Sequence, residues 1–528
     1  MPNTSRRQLM QWALGASQLA LLERFNLLGS SRAHAQTAAD LPSRLVVLYV
    51  PGGFRPQYAF WPGTDAQVET NVPDPGGFAS EPIFFRANKL VDLAPGDGRF
   101  PALRTWESWN PAMPQQRDGT YTPAMYGYKH WALHENVAIA HGIDQGTADH
   151  NSAFVAAMCG VPSPDFRAPA LHSVVANHFF AATKERRPLP FVSITSERGM
   201  PQATGLPSHA APVRVPSIEA LKPQLSTKVA DNPWWQGLDA RTARPETSWD
   251  GVPNGSMIQT TDLEEYTLGV PGLYKGKSNA KVDTFLEQLH GSLRSVSRVL
   301  AADVVTVLER TKGIDALTTN RAPYLSSYLT PSFSYTFGLA NFHMTGLEPR
   351  FDMALRLLKA DLTSAVHVSM GLDFDTHNGT GHAFSCAHGR NMFDLVARFL
   401  GELKSTPLAG RPGKTLLDDT LVVMMSEFGR SWATKSGAGY NLPDDHHPFT
   451  SVMFAGGNVA NNRMVGTYDT RGFGMPTDIV EENEQPSRRV PRAADVTTTA
   501  LRIMGLGFHD FFIPGGFGEI VGLRKNAT

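Results

Sequence analysis

Leu421-Val422-Val423-Met424-Met425, followed at once by Ser426-Glu427-Phe428-Gly429-Arg430, is the stretch on which the fold turns. A continuous apolar run with no polar alternation suits a strand covered on both faces, as in a largely parallel sheet. The abrupt switch to a carboxylate and a guanidinium marks the carboxyl end of that strand, where open α/β sheets gather their functional groups. Leu45 to Val50, Val137 to Ala140, Val366 to Leu372 and Ser451 to Phe454 repeat the pattern, each bounded by turn or polar residues. Helical patterns lie between them. In the clearest, Met392, Leu395, Val396, Phe399, Leu400 and Leu403 fall on one stripe of a helix that packs on a sheet. Phe351 to Lys359 and Val282 to Leu308 carry weaker versions. The alternation predicts an α/β fold, a doubly wound, mostly parallel sheet sandwiched by helices.

The chain has 528 residues, room for about three domains or one large domain with insertions. Ligand-like groups in both the first and last thirds favour a single composite domain. The stretch from 162 to 349, rich in Pro, Gly, Ser and Thr and with a helical hairpin near Val282 to Thr311, reads as a long loop-rich and helical insertion. Gly472 to Pro491, with Glu481, Glu482 and Glu484, reads as a solvated loop. Lys and Arg total 48 against 49 Asp and Glu, so no basic field favours nucleic acid or an anionic membrane. Only Cys159 and Cys386 are present, which excludes a disulfide framework and a thiolate metal site. The two thiols either form one disulfide or stay buried and reduced. No G-x-G-x-x-G or C-x-x-C-H occurs to suggest a dinucleotide or haem enzyme.

The amino terminus combines Ser5-Arg6-Arg7-Gln8-Leu9-Met10, a weakly apolar stretch from Trp12 to Leu28, and Ala33-His34-Ala35 as a small-residue cleavage site. This pattern predicts a cleaved twin-arginine signal over residues 1–35. Its apolar stretch is broken by Gln18, Glu23 and Arg24, short of the roughly 20 apolar residues a stable membrane anchor needs. The expected destination is the periplasm or the exterior, by way of the twin-arginine translocase. Loss of the signal removes four arginines and one glutamate, taking the formal charge from −1 to −4.

Past the strand ends the residue types become chemically pointed. Val366 to Leu372 is followed by Asp373, Asp375 and His377, and Leu421 to Met425 by Glu427 and Arg430. Val137 to Ala140 is followed by His141 and then Asp149-His150-Asn151-Ser152, while Asp444-Asp445-His446-His447 stands just before Ser451 to Phe454. Four segments thus send carboxylates and imidazoles to one sheet edge. His150, Asp375, His377, Glu427, Asp445, His446 and His447 are the candidate metal ligands, an oxygen and nitrogen set that suits one or two ions of Zn²⁺, Mn²⁺ or Fe or, with more oxygen, Mg²⁺ and Ca²⁺, with Zn²⁺ or Mn²⁺ foremost. Ser152, at a predicted helix start, is the candidate nucleophile, and Arg430 the candidate clamp for an anionic ester. Each has a structural alternative: Asp149 and Ser152 are good helix caps, and Glu427 can pair with Arg430 at i, i+3.

The run Gly371 to His377, the run Ser426 to Arg430 and the Asp-His pair shortly after resemble an uncharacterised bacterial family, domain-of-unknown-function family 1501, whose members often begin with a twin-arginine signal. That family is similar in fold to the alkaline phosphatase and sulfatase superfamily. The resemblance implies that Asp375 and His377 form one ligand pair, that Glu427 stands near a second, that His446 or His447 is a later ligand, and that Ser152 attacks phosphorus or sulfur. Departures from the superfamily pattern are plain. Val50 is followed by Pro51-Gly52-Gly53 rather than a carboxylate, and Glu427-Phe428 replaces an Asp-His. Cys159 to Pro164 lacks the arginine of the formylglycine sulfatases. The expectation is therefore an exported metal-dependent hydrolase of phosphate or sulfate esters with one or two ions. The alternative is a metal-free, non-catalytic binding or assembly protein on the same scaffold.

Overall fold

The computed structural model describes residues 41–53, 56, 136–162, 168–184, 186–194, 206–224, 299, 302–314, 344–370, 375, 392, 395–396, 398–431, 434–436, 439–441, 445–461, 463–469 and 471–525. The expected signal at 1–35, Asp373, His377, Cys386 and most of the Val282 to Thr311 hairpin lie outside these residues. The strands are β1 (Arg44–Val50), β2 (Val137–Asp144), β3 (Phe191–Ile194), β4 (Val213–Arg214), β5 (Ala365–Ser369), β6 (Thr420–Ser426), β7 (Gly429–Arg430), β8 (Thr434–Ser436), β9 (Gly439–Asn441), β10 (His446–His447), β11 (Phe449–Gly456), β12 (Arg463–Val465), β13 (Thr477–Glu481), β14 (Pro486–Arg489) and β15 (Gly518–Ile520). The helices with both ends described are α1 (His150–Cys159), α2 (Leu171–Thr183), α3 (Ile218–Gln224), α4 (Val304–Arg310), α5 (Met344–Lys359) and α6 (Ala493–Ile503). Residues 398–405 are helical as well.

Eight strands form the central sheet in the order β12-β2-β11-β6-β1-β5-β3-β4. Neighbours from β6 through β4 are parallel, as are β12 and β2, whereas β11 runs antiparallel to both β2 and β6. The continuous apolar runs make these strands because helices cover both faces. Val46, Leu48 and Val50 of β1 point into a cluster with Phe351 and Leu355 of α5 and with the Met392, Leu395, Val396, Phe399, Leu400 and Leu403 stripe, all buried as its spacing predicts. Leu45, Val47 and Tyr49 point the other way, among Phe154 of α1, Val175 of α2 and Val496 of α6. Each fully buried aliphatic side chain contributes about 1.5–3 kcal/mol, so this two-faced burial defines the sheet's strongest region.

Register aligns the strand ends. Val50 of β1 lies opposite Ser426 of β6, and Tyr49 opposite Ser369 of β5, so all three parallel strands finish at one edge. Reversal of β11 has a useful consequence: its first residue, Phe449, lies opposite Asp144 at the end of β2. Residues that precede β11 therefore reach the same edge as residues that follow β1, β2, β5 and β6.

Two expectations are revised. The stretch 162–349 is not wholly peripheral, since it supplies β3 and β4 to the sheet and α2 to its cover. Phe191-Val192-Ser193-Ile194 is too short, and too interrupted by Ser193, to stand out in sequence. Gly472 to Pro491 is not simply a loop: β13 pairs with β14 and β15 in a small antiparallel sheet. In β13 and β14 only Ile479 is buried, so no apolar run announced them. No helix among the described residues is long and apolar enough to cross a membrane.

Candidate active site

Helix α1 delivers the first imidazole. Asp149 adopts an extended conformation ahead of the helix and accepts a hydrogen bond from the Ser152 N–H at 2.9 Å, so His150 is the first helical residue. Gly160 ends the helix with φ 79°, a left-handed conformation that favours glycine. Strand β10 delivers the second imidazole: His446 pairs with Arg430 of β7 in a two-residue antiparallel ribbon. Asp375, six residues past β5, completes the group. One donor atom from each of His150, Asp375 and His446 lies within 4.8 Å of the others.

Hydrogen bonds on the far side of each ring fix its orientation. His150 Nδ1 donates to Glu427 Oε1 at 2.5 Å, and His446 Nδ1 donates to the Ala148 carbonyl at 2.7 Å. A carbonyl or carboxylate oxygen only accepts, so Nδ1 carries the proton in both rings. In the neutral imidazole that leaves a lone pair on Nε2. Both Nε2 atoms face Asp375, at 3.2 Å from Oδ2 and 3.3 Å from Oδ1. Two Nε2 atoms and a carboxylate thus converge on one small volume, and an added positive charge there, a proton on each ring or a metal ion, stabilises the arrangement. The donor set therefore fits a divalent transition metal, with outer hydrogen bonds of the type that orient metal-bound histidines.

Glu427 is fully buried, and its carboxylate also accepts from the Tyr49 hydroxyl and from the Gly52 N–H at 2.8 Å. Arg430, likewise buried, donates from Nε to the Gly52 and Gly53 carbonyls at 3.0 and 3.1 Å, and from Nη2 to Asp375 at 2.5 Å. Burial works against ionisation of Asp375, but the bond and charge of Arg430 outweigh it and, with smaller contributions from the neighbouring His446 and His150, bring its pKa down to about 2. Phe428 walls the group, with its ring 5.0 Å from that of His150 and 4.4 Å from that of His446. Gly53, at φ 74°, lies so close to this ring that a Cβ there would stand 2.4 Å from it.

The candidates singled out in sequence therefore separate. His150, Asp375, His446, Glu427 and Arg430 come together. Ser152 follows two residues after His150, with its N–H bonded to Asp149. That bond, and one from the Ser152 hydroxyl, lower the exposed Asp149 carboxyl below its usual range. Asp445 is exposed, and its carbonyl accepts from the Ser431 N–H and hydroxyl, bracing the β7–β10 ribbon. His447, one residue from His446 on a strand, points away. It packs against Phe449 and Phe473, and burial lowers its pKa. His141 is inside β2, bonded to Ser451, and is a core residue rather than an edge residue. Tyr49, Gly52 and the Ala148 carbonyl carried no signal in sequence, because a backbone group or a tyrosine at a strand end has no spacing to betray it.

Residues 342–516 match the model of a family described as a protein of unknown function (DUF1501). That DUF1501 segment contains Asp375, Glu427, Arg430 and His446, while Tyr49 and His150 come from outside it. No curated protein and no solved structure matches the chain.

Glu427→Gln is expected to lower stability by about 2 kcal/mol in urea unfolding. Its amide keeps the shape, and the Tyr49 hydroxyl can turn to accept from it, but the bonds from His150 and Gly52 lose a charged acceptor inside the fold, at about 1–3 kcal/mol. A stability change within a few tenths of a kcal/mol would show that the three bonds are not held together in solution.

Proposed function

We propose that this protein is an exported, metal-dependent hydrolase of phosphate or sulfate esters. The observation that carries the reading is the convergence of His150 Nε2, His446 Nε2 and the Asp375 carboxylate, each held from behind by Glu427, the Ala148 carbonyl and Arg430 respectively. His150, Asp375 and His446 are the residues that would hold a Zn²⁺ or Mn²⁺ ion, which when bound would supply positive charge to an ester oxygen and acidify a neighbouring hydroxyl.

The chain's own residues perform the supporting work. Glu427 accepts the hydrogen bond from His150 Nδ1 and so turns Nε2 of that ring toward Asp375. Arg430 keeps Asp375 ionised, and Phe428 closes one side to water. Ser152 is the candidate nucleophile, on the same helical turn as His150. The position of the group past the carboxyl ends of β1, β5 and β6 agrees with an active-site edge of the alkaline-phosphatase-like kind. The arginine pair at Arg6-Arg7 supports export by the twin-arginine route.

Metal analysis of the mature protein, purified from its exported form, tests the reading. Near-stoichiometric transition metal is expected, removed by Asp375→Ala and by His446→Ala, with hydrolysis of an aryl phosphate or aryl sulfate lost in step. Folded protein that is metal-free and inert on both esters would overturn it in favour of a non-catalytic binding or assembly scaffold.

A further inference from the structure

The turn between β13 and β14 and the segment from Phe508 to Phe517 border an open cavity of about 280 Å³. Its floor is aromatic. Phe517 is the hub, with ring centroids of Phe511, Phe508 and Phe512 at 5.4, 6.3 and 6.3 Å. Glu482 and Asn483, from the turn between β13 and β14, complete the lining with the exposed His509. The turn is rigid: the Glu484 N–H donates to the Glu481 carbonyl, and the Gln485 N–H donates to Asn483 Oδ1. The Glu482 N–H donates to the Phe517 carbonyl at 3.0 Å, which ties the acidic side of the cavity to its aromatic hub.

We propose that this cavity binds a small organic cation, an ammonium group on an apolar body. Its volume lies just below the usual range for organic ligand sites, about 300–1,000 Å³, and its walls set four phenylalanine rings beside a carboxylate, an amide and an imidazole, apolar and polar surface in similar measure. Phenyl faces carry negative potential and attract cations, and the carboxylate of Glu482 adds the complementary charge. An anion would meet both as repulsion. The protein already uses one of these rings in this manner, since the Arg502 guanidinium lies 4.6 Å from the Phe508 centroid. Nearby cations are already engaged: Arg502 pairs with Glu519 at 3.1 Å, and Arg492 donates to the carbonyls of Gly515 and Gly516. The site is separate from the His150, Asp375 and His446 group and does not depend on its chemistry.

Titration of the full-length protein with 2-phenylethylammonium and with 2-phenylethanol, followed by saturation-transfer NMR, tests the proposal with one apolar body and two head groups. The ammonium compound is expected to bind about tenfold tighter, as a cation–π contact plus an exposed ion pair provides. Glu482→Gln is expected to remove most of that preference, and Phe512→Ala to weaken both compounds, with unchanged melting temperatures showing that each variant folds. Equal affinity for the two compounds, absence of saturable binding, or wild-type binding by Phe512→Ala would each overturn it.

Discussion

Acidification below about pH 6.5 is expected to unfold the protein steeply, with a midpoint between about pH 4 and pH 5. The cause is a set of buried imidazoles rather than carboxylates. His141, His172 and His367 are essentially without solvent exposure. Burial lowers the pKa of His141 and of His367 to about 3, and lowers that of His172 well below the ordinary value, with repulsion from His367 adding to it. The fold therefore holds these rings neutral, while the unfolded chain protonates them near 6.5. Stability is intact above that value and is lost as pH falls from 6.5 toward 3. Each such histidine removes up to about 1.4 kcal/mol per pH unit, and three together exhaust a typical stability of about 5–15 kcal/mol within two or three units. Asp375, with its pKa near 2, stays ionised throughout this window.

The rings of His172 and His367 serve the core as aromatic surfaces. His172 stacks on Phe191 at 4.9 Å and meets His367 edge-on at 5.2 Å, while His367 neighbours Tyr49 at 5.9 Å. Both ring nitrogens of His172 and Nδ1 of His367 have no hydrogen-bond partner among the described residues. His172→Phe keeps the stack and removes one titration, so its circular-dichroism midpoint is expected to fall by a few tenths of a pH unit or more. A fold that persists to pH 3, or a midpoint that His172→Phe leaves in place, would remove the buried imidazoles as the cause.

The contrast between edge and interior explains what the sequence revealed. Apolar runs such as Leu421 to Met425 are legible because burial on both faces forbids polar alternation, and the residues beyond them inherit a position from topology. His150, Asp375, Glu427 and His446 were accessible on that ground alone. What the runs do not encode is direction. β11 looks like its parallel neighbours, yet only its reversal carries His446 to the edge from the amino end of a strand. Nor does a run encode which member of a pair turns inward: His446 and His447 differ by one residue, hence by one side of a ribbon. Arg430, with an exposed-looking fork in sequence, is buried and braces Asp375 and two glycine carbonyls. His172 and His367 sit inside helical and strand patterns where an imidazole reads as an ordinary polar residue.

Asp419→Ala is expected to destabilise the protein by about 3–5 kcal/mol, because it strands buried positive charge. This residue lies at the opposite edge of the sheet from the candidate site, just before β6, where the parallel strands begin. Arg44, Arg187 and Asp419 are all buried there. Arg44 donates from Nη1 to Asp419 and from Nη2 to Asp361 at 2.6 Å, Arg187 donates from Nε to Asp361 at 2.6 Å, and the Ser43 hydroxyl donates to Asp419 at 2.9 Å. The two buried guanidinium groups are thus balanced by two carboxylates, which the more exposed Arg186 and Arg411 also approach, at 3.4 and 3.5 Å. Burial lowers the pKa of Arg44 to about 10, with the neighbouring Arg187 adding to it and Asp361 opposing it. Removing Asp419 leaves one carboxylate for the two buried cations and takes the acceptor from the Ser43 hydroxyl, which then keeps only the bond from Arg187. Removing both members of a pair is a different matter: the double variant Arg44→Met and Asp419→Leu eliminates two desolvated charges together, and is expected to recover most of the loss. Urea unfolding of the two single variants and the double variant measures this directly. Additive losses in the double variant would show that Arg44 and Asp419 act independently, contrary to the shared network that joins the starts of β1 and β6.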